Sequence, residues 1–374
     1  MKRCVIDTTD LSLQEVQQLI DTALNIIENP EKYTHICDGK KLATLFFEPS
    51  TRTRMSFEAA MYELGGNVIS MTDAATSSVT KGETVYDTAK MITCYADIIA
   101  QRHPKAGAAF RAAESADIPL INAGDGGHCH PTQTFADLLT IYREKGTLDG
   151  LTIGMCGDLL YGRTVHSLIN AMARYSGIKF VLISPDELKV PRHIITDYIE
   201  PAGIPYEETS SLEDALPNLD VIYMTRIQKE RFDDPDQYER LKNSYVLNAE
   251  KMKLAPPQCI VMHPLPRVDE IAVDVDDDPR ACYFKQALNG KYMRMALILK
   301  LLGFLDVKAW RTAVTLTPEG TYPGGPFEFG IHAQKGSDFR CSNPKCICAS
   351  ERAIVHKYFI AKDGTKRCAY CEQK

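Results

Sequence analysis

Short β-forming runs alternate with amphipathic helical stretches along most of this chain. That alternation restricts it to parallel sheets covered by crossover helices. Leu42–Phe47, Val68–Met71, Ile98–Gln101 and Leu120–Asn122 read as strands, with helical periodicity between them over Thr53–Leu64, Glu83–Tyr95 and Ala106–Ala116. A helix precedes the series: Ser12-Leu13-Gln14-Glu15 has capping-box form, and Leu13, Val16, Ile20, Ala23, Leu24 and Ile27 follow at helical spacing. A long helix predicted over Thr132–Lys145 ends at Gly146. A second series then begins, with strands at Leu151–Cys156, Lys179–Ser184, Asp220–Thr225 and Cys259–His263 and helical patterns at Thr164–Tyr175 and Arg192–Ile199. The pattern is that of an α/β protein with two doubly wound parallel-sheet domains joined by a helix. A chain of 374 residues has room for two or three domains at about 150 residues each.

Composition narrows the function classes. Apolar residues make up 44% of the chain, and 43 basic against 49 acidic residues give a formal charge of −6, so no general attraction to nucleic acid or to a membrane surface is expected. The start, Met1 to Asp7, lacks the apolar core of a signal peptide. No apolar run approaches the roughly 18 residues needed to span a bilayer. A cytoplasmic protein is the expectation.

The block Ser50-Thr51-Arg52-Thr53, with Arg54 next, lies where the first strand gives way to a helix. Backbone N–H groups at a helix start are unpaired, and the macrodipole is positive there. Hydroxyl and guanidinium donors added at that point make a phosphate grip. An ordinary capped helix needs only one Ser or Thr.

The wider segment Phe46-Phe47-Glu48-Pro49-Ser50-Thr51-Arg52-Thr53-Arg54-Met55-Ser56-Phe57-Glu58 resembles the carbamoyl-phosphate signature of the transcarbamoylases. Arg102-His103-Pro104, His130-Pro131-Thr132-Gln133, Gly157-Asp158, Gly162 to Ser167, Met224 to Gln228 and His263 to Arg267 follow in an order similar to aspartate transcarbamoylase catalytic chains, over residues 1 to about 306. The resemblance implies that Ser50, Thr51, Arg52 and Thr53 hold the phosphate. It implies that Thr53, Arg102 and His130 surround the carbonyl oxygen, and that Gln133 accepts from the carbamoyl NH₂. Between His128 and His130, the His-Pro-x-Gln context favours His130. Main-chain oxygens of Leu265 and Pro266, joined by a cis bond, would receive the same NH₂. Ser77 and Lys81 would reach a neighbouring subunit's site, making a homotrimer with shared sites, open to higher assembly. Closure of the two domains around both substrates is a further implication.

The amine acceptor follows from charge. Aspartate carries two carboxylates and calls for forked cations. Arg163, Arg226 and Gln228, with Lys81, match the family's aspartate-binding positions. Ornithine would need an acceptor for its ammonium, and ornithine enzymes typically carry His-Cys-Leu-Pro where this chain has His263-Pro264-Leu265-Pro266. The resemblance therefore implies direct attack of the aspartate α-amine on carbamoyl phosphate, in pyrimidine synthesis, with no covalent nucleophile and no organic cofactor.

It also implies a carbamoyl-phosphate domain over 1–134 and 290–306, the apolar helix at 290–304 packing back onto it, and an aspartate domain over 135–289. Residues 307–337 have linker composition, with Thr317-Pro318-Glu319-Gly320 and Pro323-Gly324-Gly325-Pro326.

Five of the twelve cysteines fall between Cys341 and Cys371. Cys341-x₄-Cys346 and Cys368-x₂-Cys371 have the spacing of a four-thiolate structural zinc site, with Cys348 as a spare thiol. A strand is predicted over Ala353–Ile360 and a hairpin turn at Lys362–Thr365. So short a segment needs the metal for its folding energy. Residues 338–374 resemble the zinc domain of the aspartate transcarbamoylase regulatory chain, without that chain's nucleotide-binding domain. A fused zinc domain that buttresses the catalytic part is the expectation. The tail's basic residues, among them Lys345, Lys357 and Arg367, suit a docking or solvated face better than a nucleic-acid surface. A degenerate scaffold or zinc-ribbon nucleic-acid binder is the competing class.

Overall fold

The computed structural model describes residues 4–71, 78–227, 235–241, 244–305, 334–335, 339–351, 354–361 and 363–373. Two compact units make up the chain, Met1–Thr132 with Gly290–Lys374, and Gln133–Asn289.

The first unit opens with helix α1 (Leu13–Glu28). Its capping box is formed in both directions: Ser12 Oγ accepts from the Glu15 N–H at 3.2 Å, and Glu15 Oε2 accepts from the Ser12 N–H at 2.9 Å. Four strands, β1 (Lys41–Phe46), β2 (Asn67–Met71), β3 (Ile98–His103) and β4 (Leu120–Asp125), form an all-parallel sheet in the order β2-β1-β3-β4. Helices α2 (Thr51–Glu63), α3 (Val85–Ile92) and α4 (Ala108–Ser115) are the crossovers. The central strands β1 and β3 are buried over most of their length and mainly apolar, whereas β2 at the edge has no buried position. The chain leaves β1 in one direction and β3 in the other. The carboxyl ends of these two neighbours, where Phe46 pairs with Arg102, therefore mark the crevice in which open α/β sheets bind ligands.

Residues 290–301 of the helix Tyr283–Leu301 belong to this unit. Arg294 is buried there, its Nη1 3.0 Å from Ser56 Oγ and its guanidinium 5.2 Å from the Phe57 ring centre. Lys300 Nζ donates to Gln18 Oε1 at 2.8 Å.

Helix α5 (Pro131–Lys145) leads to the second unit. Its sheet contains β5 (Thr152–Cys156), β6 (Lys179–Ile183), β7 (Tyr206–Thr209), β8 (Val221–Met224) and β9 (Ile260–Met262), all parallel in the order β7-β6-β5-β8-β9, with helix α6 (Arg163–Met172) after β5. Strand β7 escaped the sequence reading because it lies at the edge with Glu207 and Glu208 exposed, so its pattern is polar. The helix expected over Arg192–Ile199 begins as one α turn, Arg192–Ile194, and widens into a π turn, Ile195–Ile199, just ahead of Pro201.

The C-terminal segment belongs with the first unit. Three short antiparallel strands, β10 (Gln334–Lys335), β11 (Lys357–Ile360) and β12 (Lys366–Cys368), form its sheet. Strand β10 falls inside the stretch expected to be linker; the rest of 307–337 lies outside the described residues. The strand expected from Ala353 begins only at Lys357. Phe339, Cys346, Ile347 and Tyr370 share one apolar core with Ala109, Phe110 and Ala113 of α4. Backbone bonds seal the contact: the Ala106 N–H donates to Lys345 O at 3.1 Å, and the Ile347 N–H to Ala106 O at 2.9 Å.

Candidate active site and metal centre

Ser50 is the N-cap of α2, yet its side chain accepts no helix amide, so its hydroxyl is not spent on capping. Thr51, Arg52 and Thr53 form the first turn, with Arg52 exposed. The two arginines of the block part company here. Arg54 turns toward Glu58, its Nε 3.9 Å from Oε1, and Glu58 in turn accepts from Thr44 Oγ1 at 3.2 Å and Ser70 Oγ at 2.8 Å. Arg54 thus helps seat α2 on β1 and β2.

Arg102 is the second-last residue of β3, opposite Phe46 of β1. Its Nε donates to Glu48 Oε1 at 2.7 Å, so the two Nη groups are what it can offer an anion. Burial lowers the Arg102 pKa while Glu48 opposes that shift, keeping a partly desolvated cation in the crevice. An extra residue in β4 shifts the register opposite Arg102, a device that re-aims side chains at sites. Glu48 had no role in the sequence reading; only tertiary pairing reveals it.

Asp125 organises the loop into α5. Its carboxylate accepts from the Gly107 N–H at 2.7 Å and Asn122 Nδ2 at 3.0 Å, and it lies 3.1 Å from His128 Nδ1. Burial opposes charge on His128, but Asp125 and Glu372 on either side raise its pKa well above the ordinary value. His128 is committed to those carboxylates. His130, buried at the head of α5, has Nδ1 3.5 Å from Thr132 Oγ1. Lys81 ends a 3-10 turn, Ser78–Lys81, and is exposed; Ser77 lies outside the described residues.

In the second unit, β5 and β8 are the neighbours from which the chain departs in opposite directions, with Cys156 opposite Met224. Arg163 opens α6 after β5, and Arg226 follows β8, so both stand at that sheet's ligand-binding end. Gly157 lets the backbone after β5 pass close to the end of β8. At φ +118°, a Cβ there would sit 2.2 Å from Thr225 O. Gln228 lies outside the described residues.

Gln133 Nε2 donates to Asp137 Oδ1 at 2.8 Å, which leaves its Oε1 to accept. The Leu265–Pro266 bond is cis. His263 anchors that turn: Nδ1 accepts from the Leu265 N–H at 2.7 Å, and Nε2 meets Glu270 Oε1 at 2.7 Å. Burial raises the Glu270 pKa, but bonds from His263 and nearby amides leave it below the usual carboxylate value.

Cys341, Cys346, Cys368 and Cys371 gather with all four Sγ atoms within 4.8 Å of one another. Zinc–sulfur bonds of about 2.3 Å hold tetrahedral sulfurs roughly 3.8 Å apart. The Cys341–Cys371 and Cys346–Cys368 separations, 3.5 and 4.0 Å, fit that geometry and are far beyond a disulfide. All the cysteines are free thiols. Four sulfurs this close together resist sharing more than one negative charge unless a cation is present. Cys348 Sγ lies 4.0 Å from Cys368 Sγ, at the edge of the four.

Each of the two α/β units carries a switch point at the carboxyl ends of its parallel sheet, the place where open sheets of this kind bind ligands. Residues 3–143 match the carbamoyl-phosphate-binding domain of aspartate/ornithine carbamoyltransferases, and residues 149–301 match their aspartate/ornithine-binding domain. The chain belongs to the aspartate/ornithine carbamoyltransferase family. It is 59% identical over 301 residues to the aspartate carbamoyltransferase catalytic subunit of Clostridium botulinum (strain Langeland), covering 80% of this chain and 98% of the relative. The catalytic subunit of M. jannaschii aspartate transcarbamoylase superposes with a TM-score of 0.75 at 49% identity, over 81% of this chain and 98% of its own. Aspartate transcarbamoylase from Trypanosoma cruzi in complex with carbamoyl phosphate and aspartate gives a TM-score of 0.75 at 38% identity, over 79% and 96%.

Proposed function

We propose that this protein is an aspartate carbamoyltransferase of pyrimidine synthesis, converting carbamoyl phosphate and L-aspartate into N-carbamoyl-L-aspartate and phosphate. One observation carries this reading. The helix carrying Arg52 and Thr53 follows β1, and Arg102 lies near the end of the neighbouring β3, at the switch point of the first sheet, in a chain 59% identical to an aspartate carbamoyltransferase catalytic subunit.

Ser50, Thr51, Arg52 and Thr53 take the phosphate oxygens, with the first-turn amides of α2. Thr53, Arg102 and His130 polarise the carbonyl oxygen, while Gln133 and the main-chain oxygens of Leu265 and Pro266 receive the carbamoyl NH₂. Arg163, Arg226 and Gln228 hold the aspartate carboxylates. The α-amine attacks the carbonyl carbon, forming a C–N bond. The C–O bond to phosphate then breaks, and the amine proton leaves with the phosphate. Positioning and charge stabilisation suffice for such a step. Ser77 and Lys81 complete a neighbouring subunit's site in a homotrimer, with Lys81 facing both substrates.

The cysteine cluster holds one structural zinc per chain, which would supply the folding energy of a segment too small to stand on core burial. Its resemblance to a regulatory-chain zinc domain and its shared core with α4 support a fused, buttressing role. Lys357 and Tyr370 both bond to Glu114, which favours docking over nucleic-acid contact. No described helix is long and apolar enough to cross a membrane, and a cytoplasmic location suits the activity.

Carbamoyl transfer measured with aspartate and with ornithine tests the reading. Product with aspartate alone supports it, and product with ornithine alone defeats it.

A further inference from the structure

Asp137 lies fully buried in the second unit with three donors turned on it. Gln133 Nε2 and Gln286 Nε2 both reach Oδ1, at 2.8 and 2.6 Å, and the Tyr223 hydroxyl reaches Oδ2 at 3.0 Å. Gln286 cannot turn its amide over. Its Oε1 accepts the His263 N–H at 2.9 Å, and a backbone N–H only donates. A carboxylate only accepts, so Gln133 likewise must face it with nitrogen and keep oxygen on the other side. From His263 the chain of bonds continues: Nδ1 takes the Leu265 N–H, and Nε2 is held by Glu270. One buried carboxylate therefore fixes the amide sense of Gln133 directly, and the Leu265–Pro266 turn through Gln286 and His263.

We propose that Asp137 is a positioning residue for carbamoyl recognition. It holds the Gln133 carbonyl oxygen, and through Gln286 and His263 the Leu265 and Pro266 carbonyls, as acceptors for the substrate's NH₂. The proposal rests on the carbamoyl-transfer reading and names the group that makes its acceptors selective. A site built to bond an N–H rejects the analogue that lacks it, because its acceptors are then left unpaired. Acetyl phosphate is that analogue, with CH₃ in place of NH₂.

Dissociation constants of carbamoyl phosphate and acetyl phosphate, measured on the full-length protein with and without the Asp137→Ala change, test it. The wild type should favour carbamoyl phosphate. In Asp137→Ala that preference should fall roughly five- to tenfold, about the worth of one well-placed hydrogen bond. Asp137→Asn should retain it to within about threefold. An asparagine oxygen can accept from both glutamines while its NH₂ donates to Tyr223, and the opposite orientation is barred by the His263 N–H on Gln286. A merely structural role would weaken both ligands in proportion and leave the ratio unchanged, which overturns the proposal. Should Asp137→Ala fail to fold, Asp137→Ser carries the same expectation, since its hydroxyl stops short of Gln133 and leaves room for a water. A wild type that binds both phosphates equally also overturns it. A wild type that binds neither defeats the carbamoyl-transfer reading instead.

Discussion

Gly107 packs directly against Tyr370 of the C-terminal segment, and alanine there should loosen the contact measurably. Its φ is +82°, and a Cβ would lie 2.5 Å from both Tyr370 Cβ and Tyr370 O. Two costs add. The left-handed backbone costs a non-glycine residue about 1–2 kcal/mol. Overpacking against main chain costs about 1–3 kcal/mol more. At about 2–4 °C per kcal/mol for a unit of this size, Tm should fall by roughly 4–20 °C. The change also pushes on Tyr370, which lies between Cys368 and Cys371, so bound metal should pass to a chromogenic chelator faster. Gly39→Ala isolates the first cost, because Gly39 has φ +77° but nothing within 4 Å of its would-be Cβ. Calorimetry and chelator kinetics on both variants decide the matter. A Gly107→Ala protein matching Gly39→Ala in Tm and in metal release would refute the docked arrangement.

Arg52→Ala should lower kcat/KM for carbamoyl phosphate by about 10²–10³-fold, as removal of a charge-stabilising donor does, with an unchanged circular-dichroism spectrum. Mixing it with Lys81→Ala chains should restore part of the activity through hybrid trimers; no recovery rules out sites shared between subunits. Cys346→Ser should lose its metal by elemental analysis, whereas Cys348→Ser should keep it. His103 is buried against the Phe47 ring and its pKa is pushed down to about 4, by burial first and Lys105 second. The unfolded chain therefore binds the extra proton between about pH 6.5 and 4, so stability should fall as pH drops through that window. In His103→Asn, the urea midpoint should vary less with pH over that range; an equal slope removes His103 as the cause.

Local pattern was enough to place both parallel sheets and the block at the head of α2, because buried central strands and a helix start carry signatures within a few residues. Boundaries in the two parallel sheets drifted by up to three positions and the start of β11 by four, and β7 was invisible because an edge strand need not be apolar. The candidate site was legible wherever its proposed donors come in sequence, as from Ser50 to Thr53 at the start of α2. It was illegible where a partner comes from elsewhere: nothing near Arg102 in β3 announces that Glu48, which follows β1, takes its Nε.

The sequence by itself determined which side chains are candidates for the chemistry and how the cysteines are spaced, since residue type and short-range periodicity are local properties. Only the tertiary structure decided that Arg54 seats a helix through Glu58, that Asp137 commands two glutamines, and that Gly107 leaves room for Tyr370. Each of these depends on atoms far apart along the chain meeting within a few ångströms. That proximity is set by packing the whole unit, and no window of sequence contains it.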